Sequence, residues 1–157
     1  MKKELDLLLL LSSAYIAVYG YGAEQLSKIN ARAQVLRREM KNDQSLFSLL
    51  WVQWANVMVQ ANFKQATWLS QQLISLSESA ENDCVMLVEA FHAKGVTSFN
   101  LGNFEESIVA LEQGMSAYKE EFTEAHISQF GNDTGVLLCS WLSWALSLIH
   151  ISEPTRR

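Results

Sequence analysis

Ala61-Asn62-Phe63-Lys64-Gln65-Ala66 and Gly102-Asn103-Phe104-Glu105-Glu106-Ser107 are two versions of one six-residue phrase, set 41 residues apart. The same interval toward the N-terminus lands on Gly20-Tyr21-Gly22-Ala23-Glu24-Gln25. Each copy places a small residue and a turn-forming neighbourhood ahead of a run that continues with helical spacing, so a turn-then-helix unit recurs at one period. Asn-Asp doublets at 42–43, 82–83 and 132–133 add a second marker, each just ahead of a strongly apolar stretch. Asn and Asp side chains accept hydrogen bonds from the free N–H groups of a first helical turn, so each doublet predicts the start of the first helix of a pair.

Together the two markers predict helices over 3–18 and 23–40, over 43–60 and 63–78, over 83–100 and 103–119, then an irregular stretch and a helix from 133. That is about three and a half helical hairpins. The second helices carry apolar residues every three or four positions, as in Phe104, Ile108, Leu111 and Met115. The first helices are apolar nearly all round, as Leu46-Phe47 and Leu49-Leu50-Trp51-Val52 show, and so suit a place between neighbours. Gly95 and Ala93 on one helix, with Ser107, Ala110 and Gly114 on the next, supply the small side chains that let two helices cross closely. The expected fold is all-α, an antiparallel helix-hairpin repeat solenoid, with residues 1–145 as the repeat domain.

Composition agrees. The single proline is Pro154, so everything before it lacks the one side chain that reliably breaks a helix. Hydrophobic residues make up 49% of the 157 and charged ones 18%, which excludes a disordered linker. Residues 1–41 hold seven Lys/Arg against four Asp/Glu, whereas residues 42–145 hold three against twelve. An acidic body lacks the clustered cations that displace counterions from a phosphate backbone, so nucleic acid is not an expected partner. Leu7 to Leu11 is too short to cross a bilayer, which needs roughly 20 apolar residues, and no membrane partner is expected. Lys2-Lys3 ahead of those leucines resembles a short signal peptide, but Glu4 and Asp6 interrupt the basic region and a buried helix is the better reading. Cys84 and Cys139 stand apart with no second thiol or histidine at ligand spacing, and read as buried thiols in a reduced, cytoplasmic setting.

Gly95 followed by Leu101-Gly102-Asn103-Phe104-Glu105-Glu106-Ser107 resembles the tetratricopeptide signature, a small residue and then Leu-Gly-Asp/Asn-Tyr/Phe-Glu-Glu-Ala across the turn. Lys94, Ser98 and Lys119 depart from it, standing where the family usually has large apolar residues, or proline at the last. Over residues 4–145, Gly95-Val96-Thr97, Leu111-Glu112-Gln113-Gly114, Tyr118 and Gly131-Asn132-Asp133-Thr134-Gly135-Val136 resemble the C-terminal repeat region of large bacterial predicted ATPases. That resemblance implies a regulatory or sensor scaffold. In such proteins an ATPase module precedes the repeats, often with a class III adenylate/guanylate cyclase or a protein kinase. A transcriptional regulator built on the same ATPase-plus-repeat plan is the alternative it leaves open. No GxxxxGK[ST] loop and no strained GxSxG turn is present, so this segment is expected to be neither an enzyme nor a holder of any cofactor or metal.

The expected partner is a protein or peptide, or other domains of the parent chain. If the register holds, steps of three and four place Glu89, His92, Val96, Phe99 and Asn100 on the groove side of one first helix, and Ser48, Trp51, Ala55, Met58 and Val59 on the one before it. The competing reading is that these residues pack on the next repeat. The Glu89–His92 pair, with no second histidine at helical spacing, reads as a surface contact and not as a metal site. Trp51, Trp54, Trp68, Trp141 and Trp144 read as core filling. Arg32, Arg37, Arg38 and Lys41 suit a helix C-terminus. The longer spacing between the last two Asn-Asp doublets marks an insertion from about Glu120 to Gly131, with Phe122, His126 and Phe130 as its anchors.

Leu146 to Arg156 resembles the conceptual translation of a transposon-end sequencing adapter, codon for codon, and residues 146–157 are expected to be a non-native tail. Met1 opens inside a helical pattern with no cap ahead of it and reads as an internal methionine of a larger protein.

Overall fold

The computed structural model describes residues 2–20, 28, 29, 32, 43–80 and 83–152. Among these the chain is helical with no strand. The elements are α1 (Lys2–Tyr19), α2 (Asp43–Val59), α3 (Phe63–Ser79), α4 (Cys84–Asn100), α5 (Phe104–Ala117), a 3-10 turn (Glu120–Phe122), α6 (Thr123–Phe130) and α7 (Thr134–Ser152). The expected helix 23–40 lies outside the described residues apart from Lys28, Ile29 and Arg32, which are helical. The insertion is more ordered than the sequence suggests. Its 3-10 turn runs into α6, which stops where Gly131 takes φ +84° and its N–H reaches Ile127 O at 2.9 Å.

Two of the three Asn-Asp doublets cap a helix as expected, while Asn42 of the first lies outside the described residues; of the two turn asparagines, Asn62 caps its helix and Asn103 makes no side-chain cap bond. Asn62 accepts from Gln65 N at 3.3 Å ahead of α3, and Asp83 from Met86 N at 3.0 Å ahead of α4. Asp133 accepts from Gly135 N at 3.0 Å just ahead of α7.

The two described turns between paired helices share one geometry. Ala61 N donates to Met58 O at 3.0 Å and Asn62 N to Val57 O at 2.9 Å. Gly102 N donates to Phe99 O at 3.0 Å and Asn103 N to Ser98 O at 2.9 Å, the same pair of bonds displaced by 41 residues. This is the Schellman arrangement, which needs a residue of positive φ just past the helix. Ala61 supplies it at +55°, Gly102 at +80°, and Gly20, one interval earlier, at +74°.

Consecutive helices pack on one another: α2 on α3, α3 on α4, α4 on α5 and α5 on α7. The first helices also meet across the pairs, α2 against α4 and α4 against α7. Every residue of α2 from Leu49 to Val57 is buried, as its all-round apolarity requires. One core cluster runs through α2, α3 and α4 and ends on Phe130; a second joins Val88, Leu111 and Leu138. Gly95 is the close crossing of α4 and α5: a β-carbon there would lie 2.5 Å from Leu111 Cγ, and Ser107 Oγ donates to Gly95 O at 2.8 Å. Gly114 makes room for Leu138 of α7 instead.

Among the described residues no helix is long and apolar enough to cross a membrane. Helix α7 continues past Ala145, the last buried residue described, and beyond it Leu146 and Leu148 are exposed. The cysteines differ from expectation: Cys84 is half-buried and Cys139 exposed. Helical phase explains Cys139, because Leu138 takes the inward position and turns its neighbour out to Met115, 3.8 Å away sulfur to sulfur.

Candidate functional site

The first helices face each other through polar side chains set in an apolar interface. Trp54 of α2 donates its indole N–H to Thr97 Oγ1 of α4 at 2.9 Å, and Thr97 donates onward to Ala93 O at 2.7 Å. About two turns back along α4, Glu89 Oε2 accepts from Trp51 Nε1 at 2.9 Å. Glu89 Oε1 faces His126 Nδ1 of α6 at 2.7 Å and accepts a very short hydrogen bond from the Thr134 hydroxyl, at the start of α7. One carboxylate on α4 therefore holds α2, α6 and α7 together.

Glu89 is fully buried, and Trp51, His92, His126 and Thr134 are each no more than 4% exposed. An ionised carboxylate is severely penalised in such a place unless it is hydrogen-bonded, and donors from three elements take three of its roughly four acceptor positions here. To donate, His126 must carry its proton on Nδ1. His92 completes the cluster but is not satisfied by it. Its Nδ1 lies 3.9 Å from Glu89 Oε2, too far for a hydrogen bond, and among the described residues neither ring nitrogen has a hydrogen-bond partner. The ring meets Trp54 edge-on at 5.7 Å between centroids. Burial pulls the His92 pKa below its ordinary value, and nearby His126 adds to this while Glu89 opposes it.

Tyr118 borders this junction at His126. Its ring lies 5.6 Å from that of His126, and its hydroxyl donates to Asp133 Oδ1 at 3.0 Å and lies 2.7 Å from Thr123 Oγ1. Gly135 is required beside it, since a β-carbon there would come within 2.6 Å of Tyr118 Cζ. The Thr123 bond lowers the phenol pKa, but desolvation together with the hydrogen bond to and charge of Asp133 outweighs it, so the net shift is upward. Outside Tyr118 lies an open groove of about 660 Å³ lined by Met115, Thr123, Asp133, Val136 and Cys139.

The ten residues expected along a groove divide by depth. Trp51, Ala55, Glu89, His92 and Val96 are buried, Ser48, Met58 and Phe99 are half-buried, and Val59 and Asn100 are exposed where α2 and α4 end. The buried ones form the contact of α2 with α4, which is the packing alternative the sequence also allowed. The Glu89–His92 pair, read as a surface contact, is interior instead: the insertion folds back and sets the buried His126 against Glu89. Phe122, His126 and Phe130 do anchor the insertion. Trp51 and Trp54 fill the core and Trp141 is half-buried, whereas Trp68 and Trp144 are exposed at 43% and 54%. Sequence reasoning missed Thr134 and the joining of Glu89 to His126, 37 residues away. The signal present was His126 on one helical face with Phe122 and Phe130, a polar residue at an anchoring position.

Among the described residues no group of three or more His, Cys, Asp or Glu is placed to hold a metal ion. Arg32 and Glu4 form an exposed ion pair at 2.6 Å; Arg37, Arg38 and Lys41 lie outside the described residues.

Compared with known proteins, the chain matches no family model, no curated protein and no solved structure.

Proposed function

We propose that this chain is a tetratricopeptide-type solenoid segment serving as a protein-interaction scaffold in a cytoplasmic signalling ATPase or nucleotide cyclase, and that it performs no chemistry itself. The observation that carries the reading is the repeated turn. Two Schellman closures with matching bonds, and positive φ at Gly20, Ala61 and Gly102, recur at the interval at which the sequence phrase recurs. Stacked first helices, each also packed on a second helix, suit such an array. The resemblance of residues 95–118 and 131–136 to the repeat region of bacterial predicted ATPases supplies the signalling context.

In this reading the partner is a protein or peptide segment, or another domain of the same parent, and it meets the open ends of the first-helix face at Met58, Val59, Phe99 and Asn100. The exposure of Leu146 and Leu148 beyond Ala145 suits a tail foreign to the repeat. The uninterrupted gene on either side tests the proposal. An ATPase module upstream, joined to a cyclase or kinase domain, with further helical hairpins of about forty residues nearby, is the expected result. A reading frame whose flanks carry no further hairpin, or nucleotide turnover by the isolated chain, would sink it.

A further inference from the structure

The polar junction is complete except at one point. Trp51, His126 and Thr134 all donate to Glu89, while His92, one turn further along α4, sits against the same carboxylate with neither nitrogen partnered among the described residues. A buried polar side chain without a partner is a costly arrangement, and one that a proton would change. A neutral imidazole can leave one nitrogen idle against apolar neighbours. An imidazolium has two N–H donors and needs an acceptor. The nearest acidic one is Glu89 Oε2, 3.9 Å from Nδ1, and a charge-assisted bond would shorten that by about 1 Å. That oxygen already takes the Trp51 indole N–H.

We infer that His92 is a proton-operated latch: on protonation it closes onto Glu89 Oε2, competes with the Trp51 indole for that oxygen, and loosens the seam between α2 and α4. The groups facing it limit what else could drive such a move. On its own helix these are Glu89, with Lys94 turned outward toward Glu106. From α6 it is His126, held on the other carboxylate oxygen. Helix α2 presents the Trp54 ring, and its one charged residue, Asp43, stands at its first position. The charged residues of α3, Lys64 and Glu78, are exposed, and α7 contributes the Thr134 hydroxyl.

Trp51 would carry the change outward, because its ring also lies 5.1 Å from Phe130 and 5.9 Å from Trp54. Closure of His92 at one end of the carboxylate is thereby felt at the insertion's anchor.

The test is nuclear magnetic resonance of the full chain between pH 7.5 and 5, following the Trp51 indole N–H and the His92 ring signals, with far-ultraviolet circular dichroism on the same samples. Expected is a shift of the Trp51 signal that tracks His92 protonation while helicity is unchanged, and that vanishes in His92→Phe, which keeps an aromatic ring against Trp54. A Trp51 signal that moves only as helicity is lost, or moves equally in His92→Phe, overturns the latch. Should His92→Phe fail to fold, the wild-type signals decide alone: a His92 ring that protonates with no movement at Trp51 also overturns it.

Discussion

The α2–α3 and α4–α5 hairpins share a backbone and differ in what they bury. Their closing turns superpose bond for bond at an interval of 41, yet one is reached through Ala61 and the other through Gly102. Along the first helices the equivalent positions are Ser48 and Glu89, Trp51 and His92, Trp54 and Gly95. The earlier helix puts an indole where the later one puts an imidazole, and a half-buried serine where the later one puts a buried carboxylate. The difference teaches that the two turns are specified by backbone demands, while the joins between neighbours are made by side chains particular to each hairpin.

The largest test of that contrast is at Glu89. Replacing it with leucine strands three donors in a dry interior, and the expected loss is about 3–5 kcal/mol in urea unfolding. Ser48→Ala at the matching position is expected to cost under about 1.5 kcal/mol. Comparable losses at the two sites would show that both hairpins depend on the same kind of join.

Next comes Gly95. A methyl group there meets Leu111 at Cγ and Cδ2, and Gly95→Ala is expected to lower stability by about 1–3 kcal/mol through overpacking of the α4–α5 crossing. Thermal unfolding of the variant measures it; an unchanged midpoint would mean the crossing is looser than described.

The turns give a smaller effect of opposite sign. Gly102→Ala forces an L side chain into left-handed backbone and is expected to cost about 1 kcal/mol. Ala61→Gly relieves the same strain and is expected to gain as much as about 1 kcal/mol. Equal signs in paired denaturation curves would break the equivalence of the two turns.

The dependence on pH is predicted in direction. His92 has a lowered pKa in the folded chain, so below its ordinary value of about 6.5 the unfolded chain takes up a proton that the folded chain resists. Its unfavourable contribution is absent above that value and grows as the pH falls through it. Stability curves at pH 7.5 and 5.5 are expected to differ less in His92→Phe than in the wild type.

What the sequence announced follows the same division. Turn and cap chemistry is local, so Asn62 and Asp83 mark their helix starts, and Gly102-Asn103-Phe104 marks its turn, within six residues of text. The junction is not local. Glu89 meets His126 only because a short helix inside the insertion returns the chain across the first helices, and nothing in the spacing of 89, 92, 126 and 134 encodes that return. Ala61 shows the limit from the other side: propensity disfavours alanine at positive φ, and the packing of α2 against α3 overrides it.

A double-mutant cycle between Trp51→Phe and Glu89→Gln tests most directly whether successive hairpins are joined through their first helices. If the indole of one helix rests on the carboxylate of the next, the two substitutions couple by about 1 kcal/mol or more. Losses that simply add would contradict the join, and with it the stacking of α2 on α4.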